Sequence, residues 1–298
     1  MNIYLTRGES RVDLLAEARA YWSLFKPRVV LLLVFTSVVA AFVASHGSVP
    51  PAKVALLVVV GTFAAAGSAC LNNYRDRDID AVMRRTRARI LPSGRAHPNV
   101  VLSLGLSLLA TSLLLAAQLN HMVSLYVLLG AFVYVGIYSL WLKRTNPLNI
   151  VIGGLSGSFA VMAGWAVVDP QLSLTPVLLG LLVFLWTPHH FWSFAMVYRE
   201  DYRKVGLPML PLLLSDRQAA RLMLLSTVAL VAASLMAYFS GPFGRLYLAF
   251  ALGAGALLLA VAYAQERNPT RELGWQNFKA SGAYLLVLFA AMLVDIYT

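Results

Sequence analysis

Charge is in short supply. Only 12% of the 298 residues are Asp, Glu, Lys or Arg, against about 25% in soluble globular domains. That deficit excludes an ordinary cytosolic globule and a disordered chain. Acids are the scarcer sign, 13 against 24 Lys and Arg, which leaves a formal charge of +11. Cysteine is almost absent. A lone Cys70 excludes an internal disulfide and any C-x-x-C metal or redox motif. Its place in Ala66-Gly-Ser-Ala-Cys70 predicts a helix-packing role. What the chain has instead is apolar surface: 59% of its residues are hydrophobic and its mean hydropathy is +0.72. Lipid is the solvent this composition fits, in an all-α bundle.

A bilayer span needs about 20 apolar residues. Nine runs qualify, near 28–45, 53–71, 99–118, 122–141, 149–168, 175–196, 219–240, 243–264 and 280–297. Backbone groups in lipid must bond within their own segment, so these are read as helices of one polytopic membrane domain covering 1–298. Residues 1–27 mix Arg7, Arg11 and Arg19 with Glu9, Asp13 and Glu17 and carry no apolar core, unlike a signal peptide. Of the Lys and Arg, only Lys53 and Arg245 fall on the second face. The positive-inside rule therefore predicts a cytoplasmic N-terminal segment (1–27) and cytoplasmic active-site loops at 72–98 and 197–218. The basic excess is read as this topology signal, with no nucleic acid as partner and the lipid bilayer as surroundings.

The richest segment is Asn72-Asn-Tyr-Arg-Asp76-Arg-Asp-Ile-Asp80. No Gly or Pro separates it from the second span, so the helix is expected to run on. Asn72, Asp76 and Asp80 then share one face, and Asp78 points elsewhere. Paired carboxylates suit Mg2+, which takes one or two of them together with substrate phosphate oxygens. Arg84, Arg85, Arg87 and Arg89 follow, and arginine forks match phosphate. Acids for a metal beside bases for phosphate, at the mouth of an apolar bundle, point to a lipid-linked diphosphate.

A second segment echoes the first: Tyr198-Arg-Glu200 resembles Tyr74-Arg-Asp76. Glu200 or Asp201 is a candidate second metal ligand and Lys204 a phosphate contact; a plain juxtamembrane loop is the alternative. His189 and His190 lie inside the sixth span, where ionisable groups are functional by default. A histidine near Trp186, Phe191 and Trp192 either faces a planar ligand, ligates iron or makes an interhelical hydrogen bond. Asn149 reads as a headgroup contact or a helix cap. Lys26 and Arg28 read as anionic-ligand contacts or interfacial anchors.

Asn72-x3-Asp76-x3-Asp80 resembles the first aspartate motif of the UbiA-type intramembrane prenyltransferases. Further pieces resemble the protohaem IX farnesyltransferase branch of that family: Lys26-Pro-Arg-Val, Met83, Arg85-Thr and Arg89 with Leu91-Pro-Ser-Gly94, Asn149-Ile-Val-Ile-Gly-Gly154 and Pro188…His190-Phe-Trp192. So do Asp201-Tyr with Pro208-Met-Leu-Pro211 and the tail Phe278-Lys-Ala-Ser281…Tyr284…Met292…Asp295. The resemblance implies nine helices and Mg2+-dependent transfer from farnesyl diphosphate to a vinyl group of haem B. It implies Asn72, Asp76, Asp80, Arg85 and Arg89 as catalytic, with Asp76 and Asp80 holding the metal. Lys26, Arg28, Asn149, His190, Trp192, Asp201 and Lys204 would contact substrate, and Tyr138, Phe191 or Trp192 would face the allylic cation. It further implies a prokaryotic inner membrane, a site open to the cytoplasm, and a downstream haem-modifying enzyme or oxidase assembly machinery as partner. Ile90 stands where the pattern has proline, His189 is an extra histidine, and Tyr202-Arg-Lys204 follows Asp201 where quinone-type relatives carry another Asp. A quinone-precursor or other tetrapyrrole prenyltransferase, and a transporter, are the competing readings.

Overall fold

The computed structural model describes residues 14–298, so the part of the expected cytoplasmic segment that precedes residue 14 lies outside the described residues. Among the described residues a short helix α1 (Leu14–Leu24) leads into nine helices long and apolar enough to cross a membrane. These are α2 (Pro27–Ala44), α3 (Pro51–Val82), α4 (Pro98–Leu119), α5 (His121–Thr145), α6 (Asn149–Ala166) and α7 (Leu174–Val197). After a short α8 (Arg199–Lys204) come α9 (Asp216–Ser240), α10 (Arg245–Arg267) and α11 (Arg271–Asp295). No strand occurs among the described residues. The protein is an integral membrane all-α bundle, as its composition requires.

Helix starts follow local chemistry. Proline opens α2, α3 and α4, where its missing N–H is no loss. Ser215 and Gln218 form a reciprocal capping box on α9. Thr270 accepts from the Leu273 N–H and starts α11 at Arg271, well before the apolar run near 280. The polar stretch ahead of that run is therefore mostly helix.

Small residues let the helices approach, as packing in lipid demands. A Cβ on Gly164 would fall 1.8 Å from the Ser37 carbonyl oxygen, so α6 and α2 touch backbone to backbone there. Gly67 and Gly105 do the same for α3 and α4, with Cys70 buried beside them. Cys70 thus has the packing role its neighbours predicted. One apolar core joins α2, α6, α7, α9, α10 and α11 through Val39, Val161, Leu182, Leu230, Tyr247 and Phe289. Another, built on Met83, Tyr138, Trp192, Tyr202 and Met209, underlies the polar end. At the opposite end the Asp295 carboxylate accepts the N–H groups of Gly244 and Tyr247, tying α11 to the start of α10.

The segment 72–98 is helical to Val82, as expected of a second helix that runs on, and only then becomes turns. Within α5, residues Phe132–Leu142 form a π-helix, a wider winding that frequently marks functional sites.

Candidate active site

α3 carries Asn72, Asp76 and Asp80 on one face, and all three are buried, at 3%, 2% and 5% exposure. Asn72 Nδ2 donates to Asp76 Oδ2 at 2.9 Å and to Ser139 Oγ at 2.9 Å. Asp78 lies off this face. The Arg144 fork grips it at 2.6 and 2.7 Å, on the exposed side.

Cations surround the acids. Lys143 Nζ bonds to Asp76 Oδ2. Arg89 Nη1 bonds to Asp80 Oδ2 at 2.7 Å. Lys26 Nζ donates to Asn72 Oδ1 at 2.5 Å and to Tyr134 Oη at 3.1 Å. Lys26 adopts left-handed backbone angles, φ 51° and ψ 58°, just before Pro27. Such a non-glycine conformation costs about 1–3 kcal/mol and clusters at functional sites. Burial, and then the charge of Arg89, lower the Lys26 ammonium from 10.5 to about 8.

The turns after α3 are held by Asp201. Its two carboxylate oxygens accept the backbone N–H groups of Arg84 (3.3 Å) and Arg85 (3.2 Å). Thr86 Oγ1 closes the same turn by donating to the Asp80 carbonyl at 2.9 Å. The Arg85 guanidinium, so placed, sits 5.0 Å from the Phe194 ring and 5.5 Å from the Tyr198 ring. Tyr202, buried below, has its phenol raised to about 12 by burial.

Other predicted residues lie elsewhere. Arg28 and Lys204 are exposed. Glu200 is exposed and pairs with Arg203 at 3.6 Å. Asn149 is fully buried; its Nδ2 donates to the carbonyls of Asn146 (2.6 Å) and Pro208 (3.3 Å), linking α6 to the 197–218 segment. Trp192 is 4% exposed within the apolar core under the site. His190 neighbours Trp186 and Phe278, not Trp192.

Sequence reasoning missed Lys143, Tyr134 and Ser139. All three come from the π stretch or its end: the Lys143 N–H bonds back to the Tyr138 carbonyl, five residues earlier. Positions 134, 139 and 143 do not share a face at a period of 3.6. Only knowledge of the wider winding brings them together.

Among the described residues no cluster of three or more Asp, Glu, His or Cys gathers in metal-ligating geometry. Two carboxylates on one helix face do suit a cation that takes its remaining ligands from water and phosphate. Asp76 Oδ1 is buried without a hydrogen-bond partner; Arg144 Nη2 lies 3.9 Å from it. That unsatisfied hard oxygen fits a divalent ion.

Residues 33–292 match the UbiA prenyltransferase family model. The chain is 43% identical over 284 residues to "Protoheme IX farnesyltransferase 1" of Cenarchaeum symbiosum, covering 93% of this chain and 96% of that one. It is 45% identical over 286 residues to "Protoheme IX farnesyltransferase" of Desulforudis audaxviator, covering 94% and 89%. The solved structure of a UbiA homolog from Archaeoglobus fulgidus bound to DMAPP and Mg2+ superposes with a TM-score of 0.68 at 17% identity, covering 92% and 99%. With a family model matched from residue 33 to 292 and relatives 43–45% identical over nearly the whole length, this membrane helix bundle belongs to the UbiA prenyltransferase family.

Proposed function

We propose that this chain transfers a farnesyl group from farnesyl diphosphate to a vinyl group of haem B, making haem O. The observation that carries the reading is the buried Asp76–Asp80 face ringed by Lys26, Arg89 and Lys143. Its acceptor is inferred from relatives named protohaem IX farnesyltransferase.

Asp76 and Asp80 would hold Mg2+, and Asn72 orients Asp76 through its amide. A divalent ion held there would supply charge neutralisation for a departing diphosphate. Arg85, Arg89, Lys26 and Lys143 would bind phosphate oxygens in a water-poor mouth, where preorganised charge acts most strongly. The allylic C–O bond breaks with both electrons going to diphosphate. The haem vinyl π bond then attacks the allylic carbon, and water adds to the resulting cation with loss of one proton. Tyr138 belongs to the apolar core below the site and offers an aromatic face to positive charge. Asp201 acts at a distance, by fixing the turn that carries Arg85. The Lys and Arg asymmetry supports a site facing the cytoplasm, and the prokaryotic sources of the relatives support a prokaryotic inner membrane. Haem O would pass to a haem-modifying enzyme or to oxidase assembly.

The test is product mass. Purified protein receives Mg2+, farnesyl diphosphate and either haem B or an aromatic acid. Farnesylated, hydrated haem supports the reading; prenylation of the aromatic acid alone overturns it in favour of a quinone-type enzyme.

A further inference from the structure

The start of α9 carries a second cluster of charge, apart from the Asp76–Asp80 face. Glu266, near the end of α10, is only 7% exposed. Its Oε1 lies 3.5 Å from Arg217 Nε and 3.3 Å from Arg221 Nη2. Two guanidinium groups thus share one carboxylate, and the trio keeps one net positive charge. The arginine side chains are 67% and 63% exposed. The carboxylate therefore holds them from below and leaves their outer edges open. Asp216, the other acid at this corner, is taken by Arg199.

With Ser215 and Gln218 the two arginines line an open cleft of about 310 Å3. Its side-chain acceptors are engaged. Gln218 Oε1 accepts from the Ser215 N–H at 3.0 Å and from Ser215 Oγ at 2.9 Å. Ser215 Oγ, its proton so committed, accepts the Gln218 N–H at 3.3 Å. What is left over is all donor: Gln218 Nε2, both Nη atoms of Arg217, and Nε and Nη1 of Arg221, none with a protein partner among the described residues. Free donors and a net positive charge select an anion, and guanidinium forks match phosphate oxygens.

The same helix face continues downward as bare apolar surface. Gln218, Arg221, Leu225 and Val228 fall on one side of α9 at helical spacing. Leu225 is 60% exposed and Val228 50%. α9 spans the membrane, so these side chains meet acyl chains, with Leu225 about 6 Å below Arg221 along the axis. A soluble anion would use the cleft and leave the stripe untouched; an amphiphile uses both. We infer that this cleft binds the phosphate of an anionic phospholipid, whose acyl chain runs down Leu225 and Val228. Basic pockets where helices leave the bilayer hold such headgroups. The site is separate from the Asp76–Asp80 face and requires neither substrate of the prenyl transfer.

The test titrates full-length, detergent-solubilised protein with phosphatidylglycerol or phosphatidylcholine and reads the first bound lipid by native mass spectrometry. The parent should prefer phosphatidylglycerol about thirtyfold, the worth of two basic groups at a membrane surface. Arg217→Gln/Arg221→Gln should abolish the preference. Arg77→Gln/Arg203→Gln removes as much charge from exposed arginines outside the cleft and should keep it. Gln218→Met changes no charge and should weaken phosphatidylglycerol binding about tenfold, the scale of one hydrogen bond to a charged group. Millimolar inorganic phosphate should leave the lipid bound. The inference is overturned if the parent shows no preference, or if both double variants lose it equally, which means diffuse surface charge. Displacement of the lipid by inorganic phosphate also overturns it, in favour of a soluble-anion site. Should the cleft double variant fail to fold, Gln218→Met decides: phosphatidylglycerol affinity equal to the parent's overturns the assignment.

Discussion

Asp76→Asn separates the chemical role of the site from its structural one. Asp76 is 2% exposed, and its partner Lys143 has a side chain only 13% exposed. Removing one member of so enclosed a pair leaves the other charge uncompensated, at a cost of about 3–5 kcal/mol. At roughly 2 °C per kcal/mol for a chain of this size, the melting temperature should fall by about 6–10 °C. The amide retains an oxygen that can accept from Asn72 Nδ2, so the local fold persists. Turnover should fall further than stability, by about 10²–10³-fold, the scale for loss of one group that stabilises transition-state charge. The double variant Asp76→Asn/Lys143→Met removes both charges. It should regain most of the lost melting temperature and none of the lost turnover. Thermal unfolding in nanodiscs and haem O formed per mole of protein are the two measurements. If the double variant recovers activity along with stability, Asp76 is a scaffold residue and the metal-holding argument fails.

Three further outcomes follow from the same geometry. Lys26 holds an anion only while protonated, and its free value is lowered to about 8. Calorimetric affinity for inorganic pyrophosphate with Mg2+ should therefore be greatest below pH 8 and weaken above it by up to about tenfold per unit; Lys26→Met should abolish that pH dependence. Asp201→Ala frees the Arg84 and Arg85 N–H groups, so farnesyl diphosphate KM should rise while haem affinity stays unchanged, at a stability cost of about 1–3 kcal/mol. Gly164→Ala forces a Cβ into the Ser37 carbonyl, and melting should show a loss of about 3 kcal/mol or more, with little folded protein recovered.

Much of this was legible in order of physical simplicity. Hydropathy located the nine spans, and an uninterrupted 3.6-residue period carried α3 past the apolar run to Asp80. Asn72, Asp76 and Asp80 were readable as a face because that helix is regular. Lys143 was not, because its approach to Asp76 depends on the π winding of Phe132–Leu142. Asp201 looked like a second metal ligand; its acceptors' partners are backbone N–H groups, which have no sequence signature. Residue type and position did not separate His189 from His190; only the family resemblance singled out His190. About 100° of helix rotation between them turns one to α9 and the other to α11. The early start of α11 was hidden because its polar residues are buried against polar partners on α10, as Asn277 is against Gln265.

The π winding also constrains how this protein can change over time. A stretch whose bonds run five residues back holds more chain per turn than its neighbours. If the same residues between Phe132 and Leu142 wound with ordinary α geometry, at about 100° per residue, every later side chain of α5 would swing off its present face. Lys143 would leave Asp76, and Arg144 would leave Asp78. Winding and residue number are matched in this segment, so its length carries information that no individual letter does.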